Sequence, residues 1–535
     1  MQQGLSARLF VLLPLMLAVP ASAQVYQWVD EQGRTHFSDR VPAGKTGQPT
    51  TEQQASHRLQ SQVLAPRSGV ALSGLSWDEM AYLRQLVRAR QFDVLNGRLA
   101  EFQRQADGDL NAEPLLWGAY QAFDLGLPSA EEYFNDWVRL HPGVEGSYLA
   151  RASYQSGYAW RLLQEHGPKA SEDERKRING YFYAALTDLD AALRINPASS
   201  VAYALLVRMG AALNEREQLK SYLQGAERDV PGSFVVARTR LEFLSPAWGG
   251  SERAMADYAR QVAARSRNNP LLAFMPGYVE MFMGDLLVKQ GNRAGALERY
   301  NRAVATAGDN HEFYQHRADL LLAMGEYEEA IRDYSAAARY NTADANLYVG
   351  EARAFAAMGQ YRNAASELQR ARKIEPSSLP LAEFSQQVVR SLVKEGQKAR
   401  KTGDAKEAAT FLEAAIGLSP RDGDALYEYA QCLGDLQRFS EAQQQLEAAF
   451  DGRSDELKHY RLMEQLLSRR YQWDEIVSYW SMYIERHGED AVGLEARARA
   501  YWGNHQKAEA LADAEKAASM GNRAAAALVK EYQQP

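Results

Sequence analysis

A period of 34 residues runs through the second half of this chain and leaves few folds open to it. Ala296, Ala330 and Ala364 stand 34 apart, and after a ten-residue insertion Ala408 and Ala442 resume the spacing. Seven residues beyond each stands a second alanine: Ala303, Ala337, Ala371, Ala415 and Ala449. Twelve residues before each first alanine stands another small residue: Gly284, Ala318, Ala352, Gly396 and Ala430. Between the paired alanines lies a larger apolar side chain: Tyr300, Tyr334, Leu368, Leu412 or Leu446. A unit of this length cannot bury its apolar face alone, so neighbours must stack. Small residues belong where two antiparallel helix backbones cross, and bulky ones fill the space between. Gly291, Gly325, Gly359 and Gly403 fall at the turn between the two helices, where φ > 0 is needed. Pro376 and Pro420 close two of the units.

These residues form the pattern of the tetratricopeptide repeat, and from about 277 to 518 the chain resembles that family. The resemblance implies an all-α fold, a right-handed superhelical α-solenoid, over 271–535. Carried on at the same period, residues 457–490 form a degenerate repeat, with Trp473, Ile476 and Trp480 at its turn and small positions. A last pair spans about 491–518, and the stretch from Gly521 to Tyr532 reads as a terminal capping helix.

Residues 77–270 are helical in pattern but less regular. Ala192 and Ala226 are 34 apart, as are Pro197 and Pro231, so divergent repeats precede the clear ones. The stretch from about 88 to 276 resembles a bacterial helical family of unknown function. Gln91-Phe-Asp, Asp188 through Pro197, and Pro246-Ala-Trp-Gly-Gly-Ser251 carry that resemblance. In the last motif Ser251 reads as a helix N-cap and Trp248 as a loop anchor. A Gly-Gly-Ser turn that binds an anion is the alternative.

The N-terminus points to export. Arg8 and the apolar run Leu9–Val19 precede Ala21-Ser22-Ala23, which predicts a signal peptide over 1–23. Two alternating segments around an Asp-x-x-Gly turn then predict a small β-hairpin within 24–42, with Tyr26, Trp28, His36 and Phe37 as its apolar patch. Its Tyr-x-Trp-x-Asp-x-x-Gly-x-x-His-Phe-Ser-Asp pattern resembles a short domain of unknown function found in Gram-negative envelope proteins. Residues 43–76, rich in Gln, Ser, Thr, Gly and Pro, read as a flexible linker. The expected compartment is the periplasm, with secretion as the second expectation, and no membrane insertion is expected after the signal is cleaved.

Chemistry is sparse along the chain. A net charge of −7 argues against nucleic acid as the partner. One cysteine, Cys432, excludes an intramolecular disulfide framework and reads as a small buried residue. The nine histidines form no metal or catalytic signature, and His311 and His316 are five apart, poor spacing for one face. No catalytic residue, metal or cofactor is expected.

What remains is a binding surface. In tetratricopeptide repeats the first helices line a concave groove, and positions 2, 5, 9, 12 and 13 point into it. The resemblance therefore implies a groove lined by Tyr278, Asp285, Glu312, Gln315 and Asp319. It continues through Asn346, Val349, Arg353, Arg390, Gln397, Arg400 and Lys401, and ends with Tyr427, Gln431, Arg461, Gln465 and Arg469. Its charge passes from acidic to basic, and the asparagine that often clamps a peptide at position 9 is absent. The expected function is a non-enzymatic scaffold or adaptor that binds an acidic or extended segment of a partner protein. Binding of glycan, peptidoglycan or exopolysaccharide is one alternative, with Tyr427 as the aromatic contact. An enzyme within 77–270 is the other.

Overall fold

The computed structural model describes residues 75–534, except 125–127, 167–169, 214, 307–309, 343, 376–378 and 452–454, together with three short strands near the N-terminus. The expected signal peptide and most of 43–76 lie outside the described residues. Strands β1 (Tyr26–Val29) and β2 (Thr35–Ser38) pair antiparallel, with Tyr26 opposite Ser38 and Val29 opposite Thr35. A third strand, β3 (Gln48–Pro49), pairs with the other edge of β1. The side-chain patch expected on this hairpin also lies outside the described residues.

Among the described residues the rest is an all-α solenoid of helix hairpins. The first helices are α1 (Trp77–Arg88), α2 (Phe92–Gly108), α3 (Glu113–Gln121), α4 (Glu131–Leu140), α5 (Glu145–His166), α6 (Glu172–Ile195), α7 (Ser200–Leu213) and α8 (Arg216–Asp229). Next come α9 (Phe234–Phe243), α10 (Glu252–Ala263), α11 (Met275–Lys289), α12 (Arg293–Thr306), α13 (His311–Met324), α14 (Tyr327–Tyr340), α15 (Ala345–Ala357) and α16 (Tyr361–Ile374). The series ends with α17 (Leu379–Lys401), α18 (Ala405–Leu418), α19 (Gly423–Asp435), α20 (Phe439–Asp451), α21 (Leu457–Ser468), α22 (Trp473–His487), α23 (Ala491–Gly503), α24 (Lys507–Ser519) and α25 (Arg523–Tyr532). The chain forms two compact units. Unit 1 holds residues up to Gln360 plus Arg370–Pro376, and unit 2 holds Tyr361–Gln369 plus the residues from Ser377 on.

The packing logic of the repeat is met atom by atom. All ten alanines at the two second-helix positions are 0% exposed. A methyl group added to Gly284 would lie 2.5 Å from Tyr300 Cε1, and one on Gly396 2.8 Å from Leu412 Cγ. The small first-helix residue thus exists to admit the large residue of its own second helix. Buried polar pairs add direction. Arg317 reaches Asp333 at 2.6 Å and Arg497 reaches Asp513 at 2.6 Å, each pair 16 residues apart across one hairpin. The ten-residue insertion is absorbed by α17, whose 23 residues compare with 13 in α15. In unit 1, α5 and α6 run to 22 and 24 residues, which breaks the period there. Pro270–Lys289 is long and apolar enough to cross a membrane by length and composition. Met275, Tyr278 and Met281 on it are buried in the core of unit 1, which accounts for its apolar character.

Turn geometry outlasts the turn residue. Gly291, Gly325, Gly359 and Gly403 have φ between 74° and 89°, as their spacing requires. The series then continues at 34 through Gln437, Tyr471 and His505, with φ of 62°, 58° and 63°. None of these is a glycine, and a left-handed backbone costs such a residue about 1 kcal/mol. Tyr471 is also 80% exposed, so its ring offsets little of that cost. Tyr471→Gly is therefore expected to raise the unfolding free energy of unit 2 by about 1 kcal/mol. The measurement is the denaturant midpoint at unchanged m, and a lowered midpoint would contradict the assignment of strain.

Candidate functional site

In unit 1 the expected groove positions are mostly tied into the solenoid itself. Tyr278 is fully buried, edge-on to Phe313 with ring centroids 4.9 Å apart, so it belongs to the core. Asp285 accepts from the Tyr300 hydroxyl at 2.7 Å and pairs with His316 Nδ1 at 2.7 Å. Asp319 accepts from the Tyr334 hydroxyl at 2.5 Å, the same bond one repeat later. Glu312 takes a 2.6 Å ion pair from Arg238.

The electrostatics of this face follow from those pairs. Burial works against the charge on Glu312, but Arg238 and His311 outweigh it and hold its carboxyl below the ordinary range. Burial likewise works against a charged His316, while Asp285, Asp319 and Glu312 lift its imidazole above the ordinary range. Arg353 lies in the field of Asp319 and Tyr334. Gln315 is half-buried, Val349 is half-buried and Asn346 is exposed. The acidic part of the groove is therefore matched by Arg238 and His316, neither of which was among the expected site residues.

Unit 2 assembles an open cleft. It holds about 460 Å³ and is lined by Tyr427 and Gln431 of α19 and by Leu457, Lys458, Arg461, Leu462 and Gln465 of α21. Four of these were expected from the groove register. Lys458 was missed, although it occupies position 2 of its repeat and the same register places it there. The Gln431 amide donates to the Tyr427 hydroxyl at 2.9 Å, which fixes the ring. The Lys458 ammonium lies 5.2 Å from the Tyr427 ring centroid and bonds Asp424 at 2.9 Å and Glu456 at 3.1 Å. Burial disfavours its charge, but those carboxylates raise its pKa overall.

Arg461 is exposed and makes no hydrogen bond or ion pair among the described residues. Arg390 and Lys401 are likewise exposed and unpaired there. The other expected cations are occupied. Arg400 sits 3.7 Å from Glu428 and 3.4 Å from Asp435, and Arg469 lies over the Phe439 ring at 6.0 Å. Gln397 donates to Glu428 at 2.8 Å. Position 9 is thus mostly bonded within the fold, as Asp285, Asp319, Gln397 and Gln431 show, and both Gln431 and Gln465 line the cleft. The cleft can hold an apolar side chain against Leu457 and Leu462 and an anionic group against Arg461 and Lys458.

Two other sequence readings are settled by geometry. Cys432 is buried and donates to the carbonyl of Ala405 at 2.9 Å, and burial pushes its thiol up to about 11. A raised value of that kind disfavours the thiolate at neutral pH. Ser251 caps α10 by accepting from the Ala254 amide at 3.2 Å, and Trp248 packs on Phe243 at 4.7 Å.

Comparison with known proteins follows the same division. The family model described as a tetratricopeptide repeat matches residues 283–346 and again 399–466. A domain of unknown function (DUF4124) matches residues 12–66. No curated protein matches the chain. Among solved structures, the TPR domain of P58(IPK) is 13% identical, covers 70% of this chain and 97% of its own, and has a TM-score of 0.24. Yeast Tom70 is 12% identical, covers 90% and 96%, and has a TM-score of 0.24. The TPR2AB domain of yeast Sti1, in complex with pHSP90, is 17% identical, covers 42% and 97%, and has a TM-score of 0.21.

Proposed function

We propose that this tetratricopeptide-repeat protein is a non-enzymatic scaffold of the bacterial periplasm that grips an extended acidic segment of a partner protein. The observation that carries the reading is the unit 2 cleft, where Arg461, unpaired among the described residues, and the carboxylate-paired Lys458 flank an apolar floor of Leu457 and Leu462. An unpaired guanidinium beside an apolar recess suits a segment that presents an apolar side chain next to a carboxylate. Binding of a sugar ring is less well supported. The aromatic face it would use, that of Tyr427, already has the Lys458 ammonium over it.

The test is crosslinking of the tagged protein in intact cells, beside a variant carrying Lys458→Glu and Arg461→Glu. A single partner captured by the parent, and bound by the purified variant about tenfold or more weakly, is the expected result. Its affinity for the parent should fall with salt, and the variant should show a flatter dependence. Equal binding by both forms would remove the cleft from the function. Retention of the parent on peptidoglycan, with no protein captured, would favour the glycan reading instead.

A further inference from the structure

Unit 2 carries a second charged surface, apart from the cleft. Between Arg390 and Lys401, α17 holds five cations and one acid, Glu395, in a chain whose net charge is −7. Four of the cations, Arg390, Lys394, Lys398 and Lys401, are exposed. At 3.6 residues per turn they fall within about 80° of one another around the helix axis, in axial steps of about 6, 6 and 4.5 Å. Val388, Leu392 and Ala399 are buried on the other side of the helix, so the stripe faces away from the core. Arg390, Lys394 and Lys401 make no hydrogen bond or ion pair among the described residues. Lys398 has Glu395 3.6 Å away. The fifth cation, Arg400, lies on the flank toward α19, where it meets Glu428 and Asp435. The other acid of α17, Glu383, precedes Arg390 by two turns.

Fold stability does not explain the stripe. Arg390 with Lys394, and Lys394 with Lys398, are like charges four residues apart, an arrangement that weakens a helix. The helix dipole favours Lys398 and Lys401 in the last turn, but Arg390 and Lys394 stand before it. None of the large apolar side chains exposed on the protein lies on α17. The stripe therefore offers neither a pocket for an apolar side chain nor an aromatic face for a sugar ring. What it offers is positive charge at a regular spacing.

We infer that the stripe of Arg390, Lys394, Lys398 and Lys401 is a second docking surface of unit 2 and takes a run of acidic residues in a partner protein. In an extended chain every second side chain points the same way, about 6.7 Å apart, which matches the axial steps of the stripe. The inference rests on the proposed function in one respect, that a single partner supplies both the acidic run and the segment in the cleft. Between the two surfaces stands α19, to which Gln386 and Gln397 of α17 are joined through Asp422 and Glu428, each at 2.8 Å. At about 10 Å per helix the surfaces lie about 20 Å apart, a span of about six extended residues. The partner segment is thus bipartite, with an apolar residue beside a carboxylate for the cleft and an acidic run for α17. Linking two weak contacts in this way raises affinity without any stronger single contact.

The experiment titrates a fluorescein-labelled decaglutamate peptide with the full-length protein at rising sodium chloride, and anisotropy is the readout. Saturable binding that weakens with salt is expected. Lys394→Gln combined with Lys401→Gln should weaken it about fivefold and flatten the salt dependence. The control, Arg523→Gln with Lys530→Gln, removes the same charge from exposed positions of α25 and should bind as the parent does. No saturable binding would overturn the inference. So would equal losses in the two variants, because net charge alone would then account for the binding. Loss in the Lys458→Glu, Arg461→Glu variant but not in the α17 variant would place the acidic run in the cleft and overturn the stripe. Tighter binding of oligogalacturonate than of the peptide, sensitive to the same two lysines, would make the occupant a glycan and overturn the protein assignment. Both lysines are exposed, so circular dichroism should show the parent's helix content in the α17 variant. Failure of the stripe leaves the crosslinking result for the cleft as it stands, and failure of the cleft leaves decaglutamate binding to decide the stripe.

Discussion

Glu113→Ala is expected to lower the unfolding free energy of unit 1 by about 3 kcal/mol. Glu113 sits on α3 and is only 2% exposed, yet its carboxylate serves a helix 120 residues away. It accepts from the Ser233 hydroxyl, from the Phe234 amide at 2.7 Å and from the Val235 amide at 3.4 Å. Those amides are the first orphan donors of α9, whose N-terminus favours negative charge. Alanine would leave three donors buried and unmatched, each at a cost of about 1 kcal/mol or more. Denaturant unfolding, followed by hydrogen exchange at the α9 amides, measures the loss, and exchange should quicken first at Phe234 and Val235. An effect below about 1 kcal/mol would mean that water replaces the carboxylate at little cost.

The same residue gives a pH signature. Burial, only partly offset by its hydrogen bonds, raises the Glu113 pKa in the folded chain. The native state then binds the proton more tightly than the unfolded one, so this contribution to stability falls as pH rises from the unfolded to the folded pKa. Glu113→Gln removes that slope while keeping one acceptor, and its stability loss should be smaller than that of the alanine variant.

Gly250→Ala is expected to cost at least about 3 kcal/mol, for a wholly different reason. A methyl there would stand 2.5 Å from the carbonyl carbon of Leu244 and closer still to its oxygen. The obstacle is backbone, so no side chain can turn away. The loop is closed by the Gly250 and Trp248 amides, which donate to the Ser245 carbonyl at 3.1 and 3.0 Å. To admit the methyl it must open, and Trp248 would then leave Phe243 and the Trp160 ring 6.1 Å away. Gly249→Ala is the control. That position has open space around it but a φ of 85°, so its cost should be near 1 kcal/mol. Near-ultraviolet dichroism should change for the Gly250 variant and stay as in the parent for the Gly249 variant. Similar losses for both would show that conformation, not collision, governs the loop.

The repeat was legible because its determinants are local. Ala330, Tyr334 and Ala337 must fall on one helix face within two turns, and the small residue at 318 must oppose them, so packing writes a period into the sequence. The groove register was legible for the same reason, and the unit 2 cleft collects Tyr427, Gln431, Arg461 and Gln465 at the positions it indicates. What each residue bonds to was not legible, because that depends on how far a neighbouring helix projects a long side chain. Arg400 reads as a free cation by register but meets Glu428 and Asp435 from α19. His316 reads as an isolated histidine, yet α11 brings Asp285 to it. Glu113 and α9 lie beyond any window a periodicity can span. In unit 1 the longer α5 and α6, of 22 and 24 residues, break the period, so spacing alone does not place the side chains there.

The left-handed turns of unit 2 have a consequence for the order in which it comes apart. Gly403 opens the series without strain, whereas Gln437, Tyr471 and His505 each hold a backbone shape their side chains disfavour. At about 1 kcal/mol apiece the load accumulates toward the C-terminus. A solenoid loses hairpins from an end, where each has only one neighbour to hold it. The strained turns therefore gather in the last hairpins, which are expected to open on heating before the hairpin that turns at Gly403. Beyond the hairpin of α21 and α22, which supplies one wall of the cleft, stand the α23–α24 hairpin and α25.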